Sequence, residues 1–402
     1  MATRKILGCR LAETVCWYSD NDLSAYWGKF SPTLRPHPSA SADARRRSLE
    51  LDFTNETCAS DSSTAARMFL HSLTLYEASH HFESPSQHRA FSMSGETTVT
   101  FIGLGAMGWG IAGNLAAAAV RGDVASPVTV WNRTLAKAER HAAAFGTRCA
   151  RTLSDASRAD VVITCLPTSA EVAAVVAELA PALKAGSLWI DCTSGDPNTT
   201  RATAHALERV GVTMVDSPVS GGPNGAKTGE LTAMVGGDVN RRAQPVISLF
   251  AKKKIVHCGP IGSGHAVKAV NNCLNAAHLI VGGEALIALA KWGVQPEIAL
   301  HAINASSGRS LQTEVRLPEE VLSRKFDYGF KLGLMLKDVR IAADGLLSTD
   351  KSCREDSILS LVKRVLEKST DEQGYDADYT RVVRTLELGA GTELRQGAAT
   401  TE

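Results

Sequence analysis

The chain has 402 residues, 44% of them hydrophobic and 21% charged, with a formal net charge of +1. This is the composition of a globular protein with room for two or three domains, and the even spread of charge gives no reason to propose a nucleic-acid or membrane partner. Nine cysteines, odd in number and without a CxxC pair, argue against a disulfide framework or a zinc site and for a reducing compartment.

In chain order, residues 1–90 show no sustained period, carry serine- and histidine-rich patches, and bring Pro32, Pro36 and Pro38 together. This predicts a low-order extension over 1–95, with 64–79 the one helical candidate. Glu13, Asp20, Asp22, Asp43, Glu50 and Asp52 interrupt what an organellar transit peptide would need, so a cytoplasmic location is expected, with mitochondrial import the alternative. Met93 stands just before the first predicted strand. The extension reads equally as a regulatory tail, an address, or an upstream start.

Residues 98–108, TVTFIGLGAMG, run from an apolar strand pattern into Gly103, Leu104, Gly105, Ala106, Met107 and Gly108, then into an alanine-rich helix pattern. In a dinucleotide-binding unit the three glycines allow the tight turn, the approach of the pyrophosphate, and close packing of helix on strand. The alternative is a plain glycine-rich turn; the strand before it and the helix after it favour the nucleotide reading. A second strand at 127–131 ends in Asn132, Arg133 and Thr134. An acid there would suit the ribose hydroxyl of NAD, whereas an arginine pairs with a 2′-phosphate, so NADP(H) is favoured over NAD(H) unless Arg133 is simply a solvated loop residue.

Alternation continues with a strand at 159–166, a helix at 169–183 and a strand at 187–192, then an Asp196-Pro197 helix start. Leu166, Pro167 and Thr193 fall at strand ends, where open α/β sheets bind ligands, and are candidates to touch the nicotinamide half. A strand at 212–216 runs into Ser220, Gly221 and Gly222, which suits a substrate carboxylate or an ordinary tight turn. A strand at 231–236, a helix over about 240–251 and a strand at 254–258 complete an α/β domain at 96–260. His257 beside Cys258 has no partner at ligand spacing, and no metal is expected.

A long apolar helix at 261–291 follows. Its most membrane-like stretch, 276–294, contains Glu284 and Lys291 and reads as a core helix. Gly264, Lys268 and Asn272 are spaced by four and share one face. A lysine among apolar neighbours bears a desolvation cost that calls for a partner or a task. The expectation is that Asn272 orients the ammonium and Gly264 leaves room for a ligand, against a snorkelling lysine and a capping glycine. His265 reads as a turn residue. Further helices are expected at 296–304, 334–347, 356–368 and 377–386, with a disordered polar tail from 389 to 402.

GLGAMG at 103–108, DSPVSGG at 216–222, GHAVKAVNN at 264–272, SSGRS at 306–310 and LKDVRIA at 336–342 together resemble the 3-hydroxyisobutyrate dehydrogenase family of β-hydroxyacid dehydrogenases. The resemblance covers about 98–388. It implies a Rossmann-type N-terminal domain, a long inter-domain helix, an all-helical C-terminal domain at 261–390 completing the active site, and dimers or tetramers. It makes Lys268 the catalytic lysine, Asn272 its partner, Ser220 to Gly222 the loop for a carboxylate-bearing substrate, Lys337 a residue near the cofactor, and Asp338 the support of that lysine. Asn132 to Thr134 is similar to NADP-using glyoxylate and succinic semialdehyde reductases. Decarboxylating 6-phosphogluconate enzymes share the motifs but need a longer helical domain. Imine reductases usually lack the lysine, and a non-catalytic NADP sensor would need neither it nor the serine loop.

Overall fold

The computed structural model describes residues 96–239, 242–346 and 357–397; the expected extension and its 64–79 helix lie outside them. Strand β1 (Val99–Ile102) leads into helix α1 (Ala106–Arg121), and β2 (Thr129–Trp131) follows. Next come α2 (Leu135–Phe145) and the short β3 (Arg148–Cys149), neither expected from the sequence. The α2 sequence is polar overall and buries only Ala138 and His141, so few apolar residues mark it. His141 is held by Thr147 Oγ1 at 2.9 Å and the Trp109 carbonyl at 3.2 Å.

Strand β4 (Val161–Thr164), α3 (Ser169–Leu179), β5 (Leu188–Asp191), α4 (Pro197–Glu208) and β6 (Thr213–Asp216) then continue the parallel sheet. Its order is β3-β2-β1-β4-β5-β6, the arrangement of a dinucleotide-binding fold. A β7 hairpin strand (Val219–Ser220), α5 (Gly222–Thr228), β8 (Thr232–Gly236), α6 (Ala243–Ser248) and β9 (Lys254–Gly259) extend it; β8 is antiparallel to β6 and β7 and parallel to β9.

Both faces of the sheet are covered, which is why β1, β4 and β5 read as continuous apolar runs. Phe101, Ile163, Ile190 and Val215 lie in register and pack with Ile111 and Leu115 of α1 on one face. One residue along, Val162, Trp189 and Met214 face the opposite layer with Val176 and Leu207. The last in-register row, Ile102, Thr164, Asp191 and Asp216, turns polar at the carboxyl ends of the strands.

Helix α7 (Ser263–Lys291) has 29 residues and is about 43 Å long. It is long and apolar enough to cross a membrane by length and composition, yet Leu279, Leu286 and Ile287 sit in the core of the helical part with Leu317, Val339, Leu366 and Val383. Around it pack α8 (Pro296–Asn304), a π-type segment (Gln312–Leu322) containing Pro318, α9 (Leu332–Arg340), α10 (Ile358–Gln373) and α11 (Val382–Ala390). The expected 334–347 helix instead begins at Leu332 and changes to a π-type turn over Ile341–Leu346. The disordered tail is corrected over 389–397. Leu394 is fully buried, its N–H donates to Glu387 Oε1 at 2.8 Å, and Gln396 N–H donates to the Leu322 carbonyl at 3.2 Å. Glu387 is itself clamped by Arg324 at 2.6 and 3.0 Å, so this buried carboxylate draws the polar segment onto the core.

Candidate active site

The glycine turn is dictated by contact. Gly103 has φ +104°, and a Cβ there would lie 2.4 Å from the Cys165 carbonyl oxygen; a Cβ on Gly108 would lie 1.9 Å from the Gly103 carbonyl oxygen. Gly105 differs: no described residue stands within 4 Å of where its Cβ would be. It is the N-cap of α1, which has no side-chain cap and no acid in its first turn. Exposed Gly105 and Ala106 therefore present free backbone N–H groups at a positive helix end, a cradle that fits a dinucleotide pyrophosphate. Leu104 is buried, and Met107 packs against the core beneath.

Asn132 braces this turn. Its Oδ1 accepts from Leu104 N–H at 3.0 Å and its Nδ2 donates to the Thr134 carbonyl at 3.0 Å. Arg133 and Thr134 are exposed beside it, and the Arg133 side chain has no hydrogen bond or ion pair among the described residues. At the next strand ends, Thr193 Oγ1 accepts from Leu166 N–H at 3.0 Å, while Thr193 N–H donates to buried Asp191 Oδ1 at 3.0 Å. Asp191 Oδ1 also accepts from Thr164 Oγ1 at 2.9 Å, so one carboxylate fixes both loops. Pro167 is exposed at the rim.

Ser220 ends β7, and Gly221 (φ +140°) and Gly222 (φ +67°) turn the chain into α5 in conformations that favour glycine. Tyr328, from the helical part, closes over this loop: a Cβ on Gly222 would lie 2.5 Å from its hydroxyl.

Lys268 is 8% exposed, which rules out a snorkelling lysine. Burial pushes its pKa down from 10.5; Asp338 pulls it back up and Lys337 pushes it down again. Asn272 Nδ2 donates to Asp338 Oδ2 at 2.6 Å, and Lys337 Nζ stands 2.7 Å from Asp338 Oδ1, an ionic contact without hydrogen-bond alignment. Lys337 Nζ also donates to the Ser194 carbonyl, joining α9 to the β5 end. Lys268, Asn272 and Asp338 thus form one buried cluster, with half-buried Lys337 at its edge.

Two expectations are corrected here. Asn272 is spent on Asp338 rather than on Lys268, because α9 packs its carboxylate directly against the amide. Gly264 makes room for the protein itself: its Cβ would lie 2.3 Å from the Met234 carbonyl oxygen and 2.8 Å from Asp216 Oδ2. Asp216 caps α7 by accepting from Gly262 N–H at 2.6 Å and His265 N–H at 2.8 Å. His265 is fully buried in the first turn of the helix, its Nδ1 2.7 Å from Thr200 Oγ1. The sequence reading missed the roles of Asp191 and Asp216; acids at the last position of two neighbouring buried strands were the available signal. A cleft of about 940 Å³ opens beside the cluster, lined in part by Thr168, Asp196, Lys337, Arg340 and Tyr375; of the predicted site residues it includes Lys337 alone.

Comparison with known proteins supports the fold. Residues 98–259 match the model of the NAD binding domain of 6-phosphogluconate dehydrogenase, and 262–386 that of the NAD-binding domain of NADP-dependent 3-hydroxyisobutyrate dehydrogenase. The chain is 32% identical to a probable 3-hydroxyisobutyrate dehydrogenase of Mycobacterium tuberculosis, over 73% of this chain and 99% of that one. It is 36% identical to 2-(hydroxymethyl)glutarate dehydrogenase of Eubacterium barkeri, over 61% and 81% respectively. The solved structure of Mycobacterium tuberculosis 3-hydroxyisobutyrate dehydrogenase with L-serine superposes with a TM-score of 0.64 at 30% identity, over 72% of this chain and 99% of that one.

Fold and relatives together define an NAD(P)-dependent oxidoreductase acting on CH–OH groups. Within that class, the chain belongs to the 3-hydroxyisobutyrate dehydrogenase family of β-hydroxyacid dehydrogenases, as its five motifs implied.

Proposed function

We propose that the chain is an NADP-preferring dehydrogenase interconverting a short β-hydroxy acid and its semialdehyde, with Lys268 as the proton donor and acceptor. The observation that carries this is the buried Lys268 itself, coupled to an Asp338 that Asn272 and Lys337 hold in place. The bound nicotinamide supplies or accepts the hydride. Lys268 gives a proton to the carbonyl oxygen in reduction and takes it back from the hydroxyl in oxidation, its lowered pKa bringing both forms nearer neutrality. Ser220, Gly221 and Gly222 hold the substrate carboxylate. Gly103 to Gly108 hold the pyrophosphate, Asn132 shapes that turn, and Arg133 and Thr134 meet the 2′-phosphate. Leu166, Pro167 and Thr193 border the nicotinamide, with Lys337 close by. A homodimer or homotetramer is supported by the apolar row Val267, Val270, Leu274 and Val281 left exposed along α7.

The test is turnover by the purified full chain with NADPH and with NADH on glyoxylate, succinic semialdehyde and methylmalonate semialdehyde, and in reverse with 3-hydroxyisobutyrate. Methylmalonate semialdehyde reduction with a preference for NADPH is expected. Turnover confined to glyoxylate or succinic semialdehyde, which Asn132 to Thr134 favours by its likeness to those reductases, would move the chain to that substrate class. No nicotinamide oxidation with any of them would refute the proposal.

A further inference from the structure

Arg316 has no part in the chemistry above, yet its setting is that of an anion receptor. It is half-buried on the π-type segment Gln312–Leu322, with its guanidinium carbon 3.8 Å over the centre of the Tyr328 ring. Tyr328 meets Tyr379 edge-on, 5.7 Å between ring centres. The Tyr379 hydroxyl is buried without an aligned hydrogen bond among the described residues; burial pushes its pKa up and Arg316 pulls it down. At the far end of the other ring, the Tyr328 hydroxyl faces Gly222. A single tyrosine ring therefore separates Arg316 from the Ser220–Gly222 loop.

No carboxylate among the described residues pairs with Arg316, whereas Arg324, eight residues on, is tied twice to Glu387. A stacked guanidinium keeps its planar fork of donors ready for a carboxylate from outside. We propose that Arg316 receives a second carboxylate, so that the preferred substrate is a dicarboxylic β-hydroxy acid or its semialdehyde. This rests on the Ser220–Gly222 loop holding the first carboxylate.

Two matched pairs test it, each differing by a carboxyethyl group in place of a methyl. Oxidation is compared for 2-(hydroxymethyl)glutarate and 3-hydroxyisobutyrate, and calorimetric binding to the NADP⁺ complex for 2-methylglutarate and isobutyrate. The dicarboxylate should lead by about 10- to 100-fold in both kcat/KM and affinity, the scale of one charge-assisted fork. That ratio should fall toward one in Arg316→Gln and recover in part in Arg316→Lys. Equal values for the two members of each pair in the native protein, or an undiminished preference in Arg316→Gln, would overturn it. A binding preference that depends on Arg316 without turnover of either hydroxy acid would support the subsite while counting against the hydride-transfer reading.

Discussion

Asn272 and Asp338, 66 residues apart on α7 and α9, meet at 2.6 Å, and both are buried. The contact places an acid from the helical part beside the lysine one turn back along α7. It makes Lys268 responsive to the docking of α9, a dependence that the residues adjacent to Lys268 do not reveal.

Replacing Lys268 with Ala should lower kcat by about 10²- to 10⁴-fold, the worth of a positioned acid. NADPH affinity, read by fluorescence titration, should change less than about threefold. Wild-type turnover in this variant would remove the lysine from the mechanism.

The pH profile follows from the same cluster. Reduction needs Lys268 protonated, so kcat/KM for the aldehyde should fall as pH rises through a pKa held below 10.5 by burial. Asp338→Asn removes the upward pull of the carboxylate, so the falling limb should move to lower pH. A limb that keeps its position would show the two groups uncoupled. For stability the sign is the reverse of an ordinary salt bridge: Lys268 binds fewer protons folded than unfolded, so its contribution improves as pH rises toward 10.5.

Cofactor choice should turn on Arg133. Arg133→Glu puts a negative charge against the 2′-phosphate, and the Kd for NADPH should rise about 10- to 100-fold with that for NADH little changed. Equal weakening of both cofactors would place Arg133 elsewhere than at the 2′-phosphate.

Gly108→Ala should weaken both cofactors together. Its Cβ would fall 1.9 Å from the Gly103 carbonyl, so α1 must shift off the turn, at about 1–3 kcal/mol of folding stability. Gly105→Ala meets none of the described residues and should keep its melting temperature while losing NADPH affinity.

Asp160 provides a control away from the site. Burial opposes its charge, but Lys184 at 2.6 Å and the Thr98 N–H and hydroxyl at 3.0 and 2.7 Å overcome it, holding the pKa at about 2. A carboxyl depressed in the fold stabilises fully above 3.8 and loses that contribution as pH falls from 3.8 toward 2. Asp160→Asn should cost about 1–2 kcal/mol at pH 7 in urea unfolding, discounted for the exposure of Lys184, and the difference should shrink as pH falls from 3.8 toward 2.

The parallel sheet was legible because its signals are local. Runs such as VVIT and LWID are apolar on both faces, and GLGAMG marks the turn wherever it occurs. Helix α2 was not, since only Ala138 and His141 are buried and no large aliphatic residue marks its inner face, and the tail was misread because Leu394 is one apolar residue in a polar stretch. The four-residue spacing of Gly264, Lys268 and Asn272 gave the shared face correctly but assigned two of the three partners wrongly.

The alternation of strands and helices, the glycine turn, the candidate lysine and the family could all be read from the chain, because each follows from a local pattern or a short motif. What those residues touch became visible with the packed fold. Asp338 on Asn272, Asp216 on the start of α7, and Tyr328 against Gly222 are contacts between distant segments, set by how the helical part packs on the sheet. Side-chain partners of that kind depend on three-dimensional register, which no local period encodes.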